Sequence, residues 1–514
     1  VLFVSVDQMR GDYLDRFGPL FQAGFRTLRE RGAVLTRSFY RHANAETGPG
    51  HALLLSGRHA RDNGIVANEW YDRLRRKTVN VVEDPSVWSV GGAGAGRSPA
   101  NFIGLTVGDR LKRASPASKV VGVAVKDRSA ILMTGPRADA AYWFDDDIGR
   151  FVTSSYYTKT APAWLDAWNG EAKADALHGR SWDRLLPDVA LYERYAGPDA
   201  IEGEWDRKDT TFPHRIRGAA GTGEFYEDVR RTPFADELTL EVVLRAMDAH
   251  GIGQDDAIDL LAVGFSATDS IGHTYGPDSQ ELMDQMLRLD RTLGRLLAEV
   301  ERRVGRDGYV FGLGADHGVM PLVELSRAKG LPARRVHPRD LEAPVRAAVA
   351  AAFPGRPGLI AYFDEPHFYL DEEGLVRHGV RRADLERVIE KAALATGLVA
   401  RVYTASRLLG DRPADDPEFE LFRNAYFEPR SPHVLVRLKE HLYMDDDYAG
   451  GTGHGTAAGY DRHVVTGFMG PGIRPGRYEE PCGPEDIAPT LSAILGLEYP
   501  LETGQRVLKE VLSP

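Results

Sequence analysis

Short, mostly apolar runs rich in Val, Ile and Leu recur along the chain at 1–6, 120–125, 257–265, 308–313 and 463–470. Each is too short for an ordinary helix and reads as a buried strand. Between them lie stretches with apolar residues every three or four positions, which predict helices over 20–31, 102–114, 236–250, 278–301 and 484–495. The pattern is clearest at 278–301, where Leu282, Met286, Leu289, Leu293, Leu296 and Val300 share one face. Continuous apolar strands alternating with amphipathic helices predict an α/β fold with a central, mostly parallel sheet covered by helices.

This alternation is interrupted twice. Over 137–235 the periodicity fails, and aromatic and acidic residues crowd Tyr142-Trp143-Phe144-Asp145-Asp146-Asp147 and Tyr156-Tyr157. Over 337–430 helices (341–352, 382–396) mix with short strands (359–363, 367–370) in an α+β manner. The expected organisation is a core in three parts, 1–136, 236–336 and 431–514, with inserted cap regions at 137–235 and 337–430. The core's last part opens on a strand at 434–438. Residues 85–100, rich in Gly, Ser and Pro, read as loop. Val1 begins directly inside an apolar strand without an initiator Met, so a trimmed natural start is expected.

Composition adds exclusions. The 514 residues are 43% hydrophobic and 27% charged, with a formal net charge of −11. That argues against general nucleic-acid binding, whose footprint is basic. No apolar run reaches the roughly 18 residues of a membrane span. Cys482 is the one cysteine, which rules out an internal disulfide and a cysteine zinc cage. Any metal must be held by His and carboxylates.

Four predicted strands end on residues suited to metal or phosphate: Asp7, Lys126, Asp269 and Asp316. In open α/β sheets, ligands bind outside the carboxyl ends of the strands. Asp269 and His273 are spaced i, i+4, on one face of a helical turn. Asp316-His317 lies between Gly314 and Gly318, which permit a sharp turn, and His454 lies between two more glycines. Three Asp and three His supply ligands for two borderline cations, most naturally Zn²⁺. The segment Thr47-Gly48-Pro49-Gly50-His51 precedes the apolar run 52–55, and Pro49 suits a first helical turn. Thr47 is therefore expected at a helix start, where free N–H groups and the helix dipole favour an attacking oxygen and an anionic phosphate. The bland alternative is a plain helix cap.

The set Asp7, Thr47, Asp269-x-x-x-His273, Asp316-His317-Gly318 and His454-Gly455-Thr456 resembles the alkaline phosphatase superfamily, in matching order along nearly the whole chain. Asn68 and the Lys126-x-Arg128 pair narrow the resemblance to the PafA/PhoK-like bacterial alkaline phosphatases with a Thr nucleophile. The resemblance implies an alkaline-phosphatase-like sandwich. It implies one zinc on Asp7, Asp316, His317 and Thr47, and a second on Asp269, His273 and His454. Thr47 would form a phosphothreonine, with Asn68, Lys126 and Arg128 on the non-bridging oxygens. Two Zn²⁺ against three Asp, with Lys126 and Arg128 added, balance a phosphomonoester dianion plus a Thr47 alkoxide. A diester carries one charge less, and its second ester group would fall where Arg128 makes a two-pronged contact.

The expected activity is hydrolysis of a broad range of small phosphomonoesters, releasing inorganic phosphate, by a monomer in the periplasm or outside the cell. A nucleotide pyrophosphatase/phosphodiesterase on the same fold is the competing reading. A sulfatase fails, because Cys482-Gly483-Pro484-Glu485-Asp486 lacks the required Arg. A phosphoglycerate mutase would be expected to use Ser, and a catalytically dead member would have lost Thr47 or a ligand. His51 and His59 are expected to pack or to support ligands. Asp445, Asp446 and Asp447 form an acidic loop open to Ca²⁺ but more simply solvated. The aromatics near Trp143 and Tyr156-Tyr157 belong to the core or the pocket entrance.

Overall fold

The computed structural model describes residues 1–205, 209–410, 413, 415–446, 450–502 and 504–513. In chain order the elements that build the site are β1 (Leu2–Val6), β2 (Ala33–Phe39), α1 (Thr47–Leu54), β3 (Glu83–Val90), β4 (Ala95–Arg97), β5 (Val120–Ala124), α2 (Asp127–Thr134), β6 (Ala140–Asp145) and β7 (Arg150–Ser154). There follow α3 (Phe234–His250), β8 (Leu260–Phe265), α4 (Ala267–Tyr275), α5 (Gln280–Val304), β9 (Phe311–Gly314), β10 (His463–Met469), β11 (Gly476–Tyr478) and α6 (Ile487–Ile494).

The strands form one sheet in the order β11-β2-β10-β9-β1-β8-β5-β6-β7-β3-β4. Its centre, β9-β1-β8-β5-β6, is parallel throughout, with Leu2 opposite both Leu261 and Phe311. Antiparallel pairs extend it on both sides, through β10 and through β7. The central strands are apolar on both faces because both are covered. Along β1, Leu2, Val4 and Val6 join the larger core with α3 and α5, while Phe3 points to a second core with α1 and α6.

Several boundaries differ from the sequence pattern. Residues within 85–100, expected as loop, form β3 and β4 at the sheet's edge. Pro85 is tolerated because it lies where the β3–β4 register shifts, between the Glu83–Arg97 and Trp88–Ala95 pairs, and a bulge needs no N–H from it. The 137–235 segment opens with β6 and β7, which belong to the main sheet. The strand Val434–Leu438, assigned to the last core part, instead pairs with His367–Leu370 and Val399–Thr404. Together with Ile360–Asp364 these form a separate four-stranded sheet. It is packed under the helices Arg339–Ala352 and Arg382–Ala395 around its own apolar core.

Helix α1 lies against the turn after β9. A Cβ added at Gly50 would fall 2.3 Å from the Asp316 carbonyl oxygen and 2.6 Å from the Asp316 Cβ. Backbone cannot rotate away from such a clash. Gly50→Ala is expected to destabilise the fold by about 1–3 kcal/mol in urea melts; an unchanged midpoint would show that this close approach is not needed.

Candidate active site

The central parallel strands deliver their polar ends to one place. Asp7 follows β1, Lys126 follows β5, Asp269 lies in the first turn of α4 after β8, and Asp316-His317 follow β9. Two groups of potential metal ligands result: Asp7, Asp316 and His317, and Asp269, His273 and His454. Within each, one donor atom per residue lies within 4.8 Å of the others. Asp7, Asp316 and His317 are fully buried.

The histidines are oriented by the backbone. His317 Nδ1 donates to the Gly318 carbonyl (3.0 Å), His273 Nδ1 to the Thr452 carbonyl (2.7 Å) and His454 Nδ1 to the Ala45 carbonyl (2.8 Å). Each bond fixes the proton on Nδ1 and leaves Nε2 with a free lone pair, the arrangement of a metal-binding imidazole. The Nε2 atoms converge on the carboxylates: His273 lies 3.2 Å and His454 3.7 Å from Asp269 Oδ1, and His317 lies 3.3 Å from Asp316 Oδ2.

The carboxylates are short of partners. Both Asp7 oxygens and Asp316 Oδ2 are buried without a well-formed hydrogen bond. Burial, and then the charges of Asp269 and Asp316, raise the Asp7 carboxyl well above its ordinary range. Burial also works to raise Asp269, but Lys126 and His273 outweigh it and hold that carboxyl well below the ordinary range. Lys126 is the cation between them, with Nζ 2.8 Å from Asp7 Oδ2 and 2.6 Å from Asp269 Oδ2. One ammonium does not neutralise three buried carboxylates. Nitrogen and oxygen donors in sets of three, with orphaned carboxylate oxygens, fit divalent cations with an open coordination position.

Thr47 stands beside the group of Asp7, Asp316 and His317, and beside the lysine that links that group to Asp269. Its Oγ1 lies 3.4 Å from His317 Nε2 and 3.4 Å from Lys126 Nζ. It occupies the first position of α1 rather than capping it; Glu46 is the cap residue, and no side chain makes a capping bond. Asn68 Oδ1 accepts the Gly48 N–H (2.7 Å), which leaves its amide NH₂ free to donate. Arg128 lies in the first turn of α2, with its Nε buried and unpartnered.

The remaining candidates fall outside the two groups. His51 is fully buried one turn after Thr47, donates from Nδ1 to the Thr47 carbonyl (2.9 Å) and approaches Asp316 Oδ2 (3.3 Å). His59 packs edge-on to His42. Trp143 lines a cavity with Lys126 and Arg128, and Tyr157 packs on the apolar cluster that contains Trp143. Burial raises the Cys482 thiol to about 12, which leaves it inert. Asp446 is exposed, while Asp447 lies outside the described residues. Two site residues escaped the sequence reading. Glu46 accepts the Asn68 N–H (2.8 Å), and Gln8 bonds to both Asp316 and Asp269. Gln8 directly follows Asp7, and that adjacency was the only signal.

Residues 1–461 match the type I phosphodiesterase / nucleotide pyrophosphatase family. The chain is 31% identical to alkaline phosphatase PafA of Elizabethkingia meningoseptica, over 100% of its own length and 94% of the relative's. It belongs to the alkaline phosphatase superfamily, in the PafA/PhoK-like group. Alkaline phosphatase PhoK of Sphingomonas sp is 30% identical, over 97% of this chain and 89% of its own. The crystal structure of wild-type alkaline phosphatase PafA superposes with a TM-score of 0.91, at 31% identity, covering 100% of this chain and 98% of that one. The fold expected from the family resemblance is therefore the fold found.

Lys126 is the cation buried among these carboxylates. Lys126→Met is expected to destabilise the metal-free protein by about 3–5 kcal/mol, with added Zn²⁺ restoring much of the loss. Urea melts with and without metal check this; equal stability of the two metal-free proteins would mean that Lys126 does not hold the carboxylates together.

Proposed function

We propose that this chain is a two-zinc alkaline phosphatase that hydrolyses small phosphate monoesters through a phosphothreonine at Thr47. The observation that carries the reading is the position of the Thr47 hydroxyl, against His317 of one three-ligand group and in reach of Lys126, which contacts Asp269 of the other. Asp7, Asp316, His317 and Thr47 would hold one ion, and Asp269, His273 and His454 the other. Two zinc ions so held would supply Lewis-acid stabilisation of the entering and leaving oxygens.

The protein's own groups carry the rest. Asn68, Lys126 and Arg128 hold the non-bridging phosphoryl oxygens and set phosphorus in line with Thr47 Oγ1. In the first step the Oγ1–P bond forms while the P–O bond to the leaving group breaks. The hydroxyl proton passes to solvent, and the departing oxygen takes a proton from water. In the second step water attacks the same phosphorus, the Oγ1–P bond breaks, Thr47 regains a proton and inorganic phosphate departs.

The charge balance favours a dianionic monoester over a diester, and Arg128 fills the place a second ester group needs. A cavity of about 450 Å³ opens beside His273 and His454 and is lined by Asn44, Glu46, Asn68 and Tyr443. That space admits varied leaving groups, in keeping with a broad substrate range. Among the described residues no helix is long and apolar enough to cross a membrane. Kinship with bacterial alkaline phosphatases favours action in the periplasm or outside the cell.

Thr47→Ala is expected to reduce phosphoryl transfer by more than about 1,000-fold while leaving folding intact; turnover near that of the unaltered protein would refute the nucleophile. Hydrolysis of p-nitrophenyl phosphate is expected to exceed that of bis-p-nitrophenyl phosphate and to be lost on chelation. Arg128→Ala is expected to lower monoester turnover by about 100- to 1,000-fold and diester turnover far less. A diester preference, or an equal loss on both substrates, would move the function to phosphodiesterase.

A further inference from the structure

Gln8 touches one residue of each ligand group. Its backbone N–H donates to Asp316 Oδ1 (3.0 Å), and its side-chain Nε2 donates to Asp269 Oδ1 (2.9 Å). Asp316 Oδ1 also accepts the His317 N–H (3.0 Å), so its buried Oδ2, which the His51 and His317 rings approach at 3.3 Å, is the oxygen left for a cation. The residue is fully buried and sits directly after Asp7.

Two features show that this placement is enforced. Gln8 has φ +64°, a left-handed conformation that a glutamine adopts only under constraint from its surroundings. Its side-chain oxygen also lies where a Cβ at position 272 would be, 1.8 Å from that atom, so only glycine leaves room. Gly272 stands directly before His273 and three residues after Asp269, on α4. The helix that carries two ligands of one group is therefore shaped to receive a side chain from the strand end that carries a ligand of the other.

We propose that Gln8 is the positioning residue that couples the two metal sites: its backbone orients Asp316 and its side chain orients Asp269, fixing the two groups relative to each other. The inference rests on the two-zinc reading above. Hydrogen bonds to a ligand from outside the coordination shell orient it, and their loss typically weakens metal binding by about 10- to 100-fold. Side-chain variants remove only the bond to Asp269, because the backbone bond to Asp316 remains. The ion held by Asp269, His273 and His454 should therefore weaken, and the ion held by Asp7, Asp316 and His317 should not.

Gln8→Asn keeps an amide and suits a left-handed conformation, but it is one methylene too short to reach Asp269. Gly272→Ala displaces the Gln8 side chain while leaving Gln8 itself intact. Zinc content is measured on each protein after dialysis against rising chelator, alongside the melting temperature of the metal-free form. The unaltered protein is expected to hold two ions. Each variant should release one of them at about 10- to 100-fold lower chelator and keep the other. The double variant should behave like either single one, because both remove the same bond. Variants that hold both ions like the unaltered protein would overturn the inference, as would loss of both ions together. An unaltered protein that holds fewer than two ions would overturn the two-zinc reading itself, a result read before any variant is compared. Gln8→Asn with a lowered melting temperature but both ions retained would overturn the inference and leave Gln8 a purely structural residue.

Discussion

Three carboxylates are buried in one space at the end of the parallel sheet, and most of the structure follows from that. Asp7, Asp269 and Asp316 each sit at or just past the end of a neighbouring strand, so the spacing of parallel strands sets their separation. Removing carboxylates from water is costly unless a cation or hydrogen bonds compensate. Lys126 arrives from the next strand over and bridges two of them. The strand order β9-β1-β8-β5 is what brings these four residues together, and neither antiparallel edge contributes a carboxylate to the two ligand groups.

The histidines add a second layer of dependence. Each is held by a backbone carbonyl, and two of those carbonyls come from distant segments. His273 on α4 is aimed by Thr452, and His454 by Ala45 just before α1. Chain segments hundreds of residues apart thus fix one another's tautomers. The His317 and His454 rings stack at 3.5 Å between centroids, joining the two ligand groups directly. Burial and the neighbouring histidines push His454 well below its ordinary range, which keeps its ring neutral and its lone pair available.

The sequence showed best what is periodic or chemically rare. The apolar runs at β1, β5, β8 and β9 stood out because both faces of a parallel strand are buried, and Asp7, Asp269 and Asp316 stood out as charges at their ends. Edge pairing was hidden, because β3 and β4 carry Pro85 and Gly96 in a composition shared with loops. The strand Val434–Leu438 was visible, but its partners were not, since pairing is decided by tertiary register rather than by local pattern. Gln8 was silent for a similar reason. A neutral side chain after an Asp gains its meaning only when Gly272 is folded against it.

At Thr47 a local rule points to the right place, a helix start, but to a capping role that the structure does not use. Threonine before a helix is a favoured cap, and a capping hydroxyl would accept an N–H from the first turn, a bond worth about 1 kcal/mol. Here the helix begins one residue earlier than that pattern implies, with Glu46 at the cap position and no side-chain capping bond. The Glu46 carboxylate is used instead on the Asn68 N–H, and Asn68 in turn takes the Gly48 N–H. Asn68, Glu46 and the helix start are thereby tied into one network that leaves the Thr47 hydroxyl out. The helix forgoes its cap, and the oxygen that would have made it remains uncommitted, facing His317 and Lys126. The nucleophile role proposed for Thr47 needs that freedom, because an oxygen already engaged with backbone N–H groups would have its lone pairs held away from phosphorus.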